Sequence, residues 1–118
     1  GDTPGDERRR YAAEGPVGKY VDVLPTVKAG RPGAGTVHHV AFQTPTDDDQ
    51  AATRRMVSSR GLRPTRQIDR HWFRSVYFRE HNGVLFELAT NGPGYASDEP
   101  ADDLGGRLVL PGPFEDRR

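Results

Sequence analysis

The chain has 118 residues, 33% of them apolar, with 14 glycines and 10 prolines, so it holds one modest core at most and leaves much of its length to loops. Its 17 basic residues balance 17 acidic ones, which argues against nucleic acid or an anionic membrane as the main partner. Cysteine is absent. That rules out disulfide and thiolate chemistry and fits a reducing, cytoplasmic location. No apolar run is long enough to span a bilayer or to serve as a signal-peptide core. The only methionine is internal, Met56, so the initiator is expected to have been lost by trimming, by a boundary within a longer protein or by processing.

Residues 1–35 are rich in Gly and Pro with mixed charge and read as an arm or linker. They contain one possible strand, "KYVDVLP" (Lys19 to Pro25), where valines alternate with other residues. "TVHHVAFQT" (36–44) then predicts a strand. Thr46 is placed to cap a helix over "DDDQAATRRMVSSR", with Asp49 at its third position, acidic residues in its first turn and Gly61 to stop it. "LRPTRQI" is a poorer strand, with Pro64 implying an edge or a bulge. "WFRSVYFR" is aromatic and β-branched, a strong strand. "HNG" predicts a tight turn around the Asn82-Gly83 pair, and "VLFELAT" closes the series as the last strand. Residues 36–90 thus read β-α-β-β-β, an α+β unit present once. Residues 91–118 read as a closing tail with a short possible helix at "DEPADDLGGRL".

Alternation along these strands sorts the side chains. Val40 and Phe42 fall on one face, toward the helix; His39, Ala41 and Gln43 fall on the other. In the last strand Val84, Phe86 and Leu88 form the apolar set and leave Glu87 opposite, between Leu85 and Ala89. A glutamate flanked by Phe86 and Leu88 is costly to bury as a lone anion, so it needs a cation, a proton or a metal. His39 and Glu87 on one concave face would begin a divalent-metal site. The plainer alternative is a solvent-facing Glu87 and a hydrogen-bonded core histidine. Tyr77 lies on the same face as Phe73 and Ser75. It is either a donor to a bound oxygen or an ordinary sheet tyrosine. Arg70, before the third strand, is either a clamp for an anionic or phenolic group or an exposed loop arginine. His71 and His81 read as loop residues without a role.

"GTVHHVAF", the helix after it, "DRHWFRSVYFRE" and "GVLFELAT" in this order resemble the C-terminal module of ring-cleaving dioxygenases of the vicinal oxygen chelate superfamily, in particular the hydroquinone-cleaving type. "DEPADDLGGRLVLPGPFEDRR" resembles their closing segment, and the likeness runs from about Gly15 to the C-terminus. The resemblance implies a cupped mixed sheet assembled from two βαβββ modules, each with a helix on its outer face. It implies Fe(II) bound by two histidines and one glutamate, with His39 and Glu87 as the ligands from this chain. His38, Arg70 and Tyr77 match positions close to the metal or the substrate, as catalytic residues. For His38 strict alternation points the other way, toward the helix. The implied reaction opens a hydroxylated aromatic ring, such as a hydroquinone or catechol, with dioxygen. The same nitrogen and oxygen ligands also accept manganese, zinc or nickel.

The chain departs from that pattern in length, since it carries one module and lacks the histidine of the first. Three arrangements are open. An N-terminal partner module completes the site; or two copies pair as a homodimer, giving two His and two Glu as in glyoxalase-type isomerases and lyases; or the chain is a metal-free small-molecule (antibiotic) binding module. Retention of both His39 and Glu87 counts against the last. An uncovered concave sheet face is expected to recruit a second module.

Overall fold

A computed structural model describes residues 7–25 and 28–112. The chain divides into two compact units, Gly1–Thr36 and Val37–Arg118.

In the first unit β1 (Arg9–Ala12) pairs antiparallel with β2 (Tyr20–Val23), Arg10 opposite Asp22. The reading of residues 1–35 anticipates β2 but not β1, because "RRYA" carries no apolar alternation. Arg10 holds Asp22 through paired bonds of 2.7 Å from Nε and Nη2, and this fork keeps the Asp22 carboxyl below the usual carboxylate range. No described side chain of this hairpin is buried, and an exposed ion pair adds little to stability.

The second unit carries β3 (Val40–Gln43), α1 (Asp47–Ser59), β4 (Ile68–Asp69), β5 (Arg74–Arg79) and β6 (Leu85–Ala89). The strands form one curved mixed sheet in the order β3-β6-β5-β4, with β3 parallel to β6 and the other pairs antiparallel. The β-α-β-β-β order and the α+β class expected from sequence are both present.

α1 begins as its sequence predicts. Thr46 Oγ1 accepts the Asp49 N–H at 3.1 Å, three aspartates occupy the first turn, and Gly61 follows the C-cap with φ 83°, a left-handed conformation that glycine adopts without steric cost. The helix covers the face carrying Phe42, Val76, Phe78, Phe86 and Leu88, and Val57 and Leu62 complete this core. Phe86 meets Phe42 and Phe78 edge to face, at centroid distances of 5.1 and 5.7 Å, a favoured aromatic geometry. Gln50 is the polar exception on this side, 1% exposed. Its Nε2 donates to the carbonyls of Leu88 (2.8 Å) and Arg74 (3.0 Å), and its Oε1 accepts from Gln67. It pins the helix to β5 and β6.

Four expectations need correction. The first strand starts at Val40 rather than Thr36, so His38 and His39 precede it and alternation does not govern them. "LRPTRQI" yields only Ile68–Asp69 as strand. Pro64 has no N–H to give, and Thr65 instead reaches β5 by its own N–H, donated to the Tyr77 carbonyl, and by its hydroxyl, which accepts the Tyr77 N–H. The β5–β6 connection is not a two-residue Asn-Gly turn. It closes through Glu80 N–H to Val84 O and Gly83 N–H to Glu80 O, with Gly83 alone at positive φ, because the Glu80 carboxylate binds the N–H groups of Asn82 and Val84. Burial works against that carboxylate, yet the two N–H donors hold its pKa below the usual range. The expected helix in "DEPADDLGGRL" is absent: residues 101–107 form turns and bends, and a 3-10 turn lies ahead of that segment, at Tyr95–Ser97. The last six residues of the tail, 113–118, lie outside the described residues.

Candidate metal centre

The face of the sheet away from α1 gathers the polar residues. Glu87 stands in the centre of β6, opposite Ala41 on one side and Tyr77 on the other. It is 4% exposed, so its carboxylate survives only with partners. Three are present. His39 Nε2 lies 2.8 Å from Oε2, the Ser75 hydroxyl donates to Oε1 at 2.5 Å, and the Tyr77 hydroxyl donates to the same Oε1 at 3.1 Å. Arg70 in turn donates from Nε and Nη2 to the Tyr77 oxygen, at 3.2 and 3.0 Å. His38 adds its Nδ1 at 2.8 Å from His39 Nδ1, so one of these two nitrogens carries the proton and the other accepts it.

Every residue named from sequence as a site candidate therefore falls into one hydrogen-bonded chain: His38, His39, Glu87, Tyr77, Arg70. His38 turns toward His39 and not toward the helix core, since it lies outside the strand. Ser75 belongs to the same chain and was given no role at the sequence level. Its signal was there, in its place two residues from Tyr77 on the same face.

Arg70 owes its position to a local strain. Trp72 N–H bonds to the Arg70 carbonyl across His71 at 2.9 Å, a γ-turn that sets His71 at φ 71°. That left-handed value is unfavourable for a residue with a Cβ. It is held by Asp69, whose carboxylate accepts the His71 N–H at 2.7 Å, and by Asp98 of the tail. Asp98 Oδ2 lies 2.7 Å from His71 Nε2 and accepts the Trp72 indole N–H at 2.6 Å. The His71 ring, with help from the indole, keeps the Asp98 carboxyl below the usual carboxylate range. His71, a loop residue without a role from sequence, thus ties the tail to the loop that presents Arg70.

His39 and Glu87 pass a simple test as donors to one metal ion. Bonds of about 2.0–2.2 Å at right angles place neighbouring ligand atoms about 2.8–3.1 Å apart, and Nε2 and Oε2 stand at 2.8 Å. The set is incomplete: among the described residues no three His, Cys, Asp or Glu side chains converge to hold an ion. No helix of the described residues is long and apolar enough to cross a membrane.

One helix over a curved mixed sheet, with an imidazole beside a carboxylate on the face away from the helix, makes this an α+β protein. The chain belongs to the Glyoxalase/Bleomycin resistance protein/Dioxygenase superfamily, whose family model matches residues 1–88. It is similar to the Bacillus subtilis (strain 168) protein named "Putative ring-cleaving dioxygenase MhqO", 42% identical over 110 residues, which make up 92% of this chain and 35% of that protein. It is also similar to the chlorohydroquinone/hydroquinone 1,2-dioxygenase of Sphingobium indicum, 35% identical over 109 residues, 86% of this chain and 33% of that protein. A crystal structure described as a "putative dioxygenase" from Bacillus subtilis superposes with a TM-score of 0.89 at 41% identity, covering 95% of this chain and 36% of that one. The chain spans about a third of the length of the curated relatives it matches.

Proposed function

We propose that the chain is one module of a metal-dependent ring-cleaving dioxygenase acting on a hydroxylated aromatic of the hydroquinone or catechol class. The observation that carries this reading is the 2.8 Å approach of His39 Nε2 to Glu87 Oε2 on the open sheet face, beside a phenol and a guanidinium. The names of the relatives support the reaction class. A second module, as an N-terminal partner or another copy, supplies what the donor set lacks, in keeping with the one-third coverage of those relatives.

In this reading His39 and Glu87 hold a divalent ion, Fe(II) first, with manganese, zinc or nickel accepted by the same donors. An ion held there would supply Lewis-acid chemistry, acidifying a phenol and offering dioxygen a neighbouring position. The chain's own residues do the rest. Tyr77 presents a hydroxyl already polarised by Arg70, placed to donate to an oxygen on which charge develops. Arg70, exposed at the mouth, offers N–H groups to a phenolate entering from solvent. His38 bonds the far nitrogen of His39 and so fixes which ring nitrogen faces Glu87, orienting that ligand.

The test is oxygen uptake by the Fe(II)-loaded protein with hydroquinones and catechols, alongside metal analysis and mass in solution. Uptake that disappears in Glu87→Ala, at about one iron per two modules, supports the reading. A site with two histidines and two glutamates and no oxygen uptake would replace it with an isomerase-type homodimer. Full retention of metal in Glu87→Ala would sink it.

A further inference from the structure

Ser75 is the most enclosed polar side chain on the open face, 0% exposed. It sits diagonally across the β5–β6 ladder from Glu87, since Ser75 faces Ala89 and Tyr77 faces Glu87. A serine is short enough to lie under the carboxylate, and its 2.5 Å bond is the shortest Glu87 makes. Oε1 therefore receives two hydroxyl donors, one for each lone pair, while Oε2 receives only the imidazole.

The two donors differ in freedom. Tyr77 is half-buried and its oxygen is shared with the exposed Arg70. Ser75 is sealed, and among the described residues its hydroxyl bonds Glu87 alone. If Tyr77 turns its proton to a bound ligand, as the proposed function requires, Glu87 loses one donor. A buried carboxylate oxygen without any donor would carry a desolvation cost. Ser75 removes that conflict, because it stays on Oε1 whichever way Tyr77 donates.

We infer that Ser75 is a positioning residue that fixes the Glu87 carboxylate through Oε1, dedicating Oε2 to the metal and freeing the Tyr77 proton for substrate. The inference rests on the reading of Glu87 as a metal ligand. It concerns orientation: Ser75 acts through the Glu87 carboxylate.

The experiment titrates Co(II), followed by its visible absorption, into the full chain in the assembly it forms in solution. The variants are Ser75→Ala, Tyr77→Phe, their combination, Glu87→Ala, and Thr44→Ala as a buried hydroxyl that bonds the Ala89 carbonyl instead. Loss of a group that orients a ligand costs about 10–100-fold in metal affinity, and that loss is expected for Ser75→Ala while Thr44→Ala stays within about twofold of the parent. The combined variant should lose more than the product of the two single effects, because only then is Oε1 bare. Should Ser75→Ala not fold, Ser75→Thr against Ser75→Val makes the same comparison, since these differ only in the hydroxyl; Thr retaining affinity that Val loses supports the inference. Co(II) affinity unchanged in Ser75→Ala but abolished in Glu87→Ala would overturn the role of Ser75 and leave the metal reading standing. Unchanged affinity in Glu87→Ala would overturn both.

Discussion

Ala41 of β3 lies directly across the parallel ladder from Glu87 of β6. The consequence is local. A methyl group beside a buried carboxylate leaves the space into which His39, two residues earlier, brings Nε2 to 2.8 Å of Oε2.

A larger side chain at that position should close the space. Ala41→Leu is expected to weaken Co(II) or Fe(II) binding at least about tenfold, as displaced ligand geometry does. Ala41 is exposed, so stability should change by no more than about 0.5 kcal/mol. Metal titration and thermal unfolding of the same preparation check both halves.

Tyr77→Phe removes the donor at 3.1 Å from Glu87 and the acceptor of two Arg70 bonds. Ser75 remains on the carboxylate, so the fold should persist. If Tyr77 donates a proton during ring opening, turnover measured as oxygen uptake falls about 10²-fold or more, the usual scale for a lost general acid. A change below about threefold would make Tyr77 an ordinary sheet tyrosine.

Gln50 supplies two hydrogen bonds to strand carbonyls from inside the core. Gln50→Leu keeps the volume and strips both donors, while the Arg74 carbonyl keeps the Thr90 N–H at 3.0 Å. A lost hydrogen bond costs about 0.5–1.5 kcal/mol net, so losing two gives an expected loss of about 1–3 kcal/mol. Urea unfolding should show a lower midpoint at unchanged slope.

The tail clamp has a pH signature. Asp98 has its folded pKa depressed by the His71 ring and the Trp72 indole. Its contribution is therefore fully present above the ordinary aspartate value, near about 4, and is lost as pH falls through the lower folded value, where the unfolded chain already binds the proton. Asp98→Asn should flatten the dependence of melting temperature on pH in that acid window. An identical acid slope in the variant would show that the clamp carries no linked proton.

Alternation and capping signals are local, and the local features they predicted are largely present. α1 has its Thr46 cap and Gly61 stop, and Phe42, Val76, Phe78, Phe86 and Leu88 join the helix-side core, whereas Val40 and Val84, assigned to the same apolar sets, stay exposed at the strand ends. The split of Glu87 and Tyr77 from that core followed from period two alone. Pro64 implied an edge or a bulge, and β4 does lie at the sheet edge, although its strand is confined to Ile68–Asp69. The Asn82-Gly83 pair misled in detail, because the Glu80 side chain chooses the turn by binding its N–H groups, and a side chain reaching across a loop leaves no mark in a dipeptide.

What the sequence determined by itself was the identity of the anomalous residues: a histidine pair in an otherwise apolar stretch, a glutamate among apolar neighbours, a tyrosine on its face. Only the tertiary structure decided which of them meet. The 48 positions between His39 and Glu87 are bridged by the parallel β3–β6 pairing, whose register is a property of the whole sheet. Asp98 reaches His71 for a similar reason, through the path of a tail with no periodic pattern. Ser75 gained its importance last, because a buried serine is unremarked in a strand until a carboxylate oxygen is seen resting on it. Contacts between residues distant in sequence depend on packing and register, and those are settled by the sum of the fold's interactions rather than by any one segment.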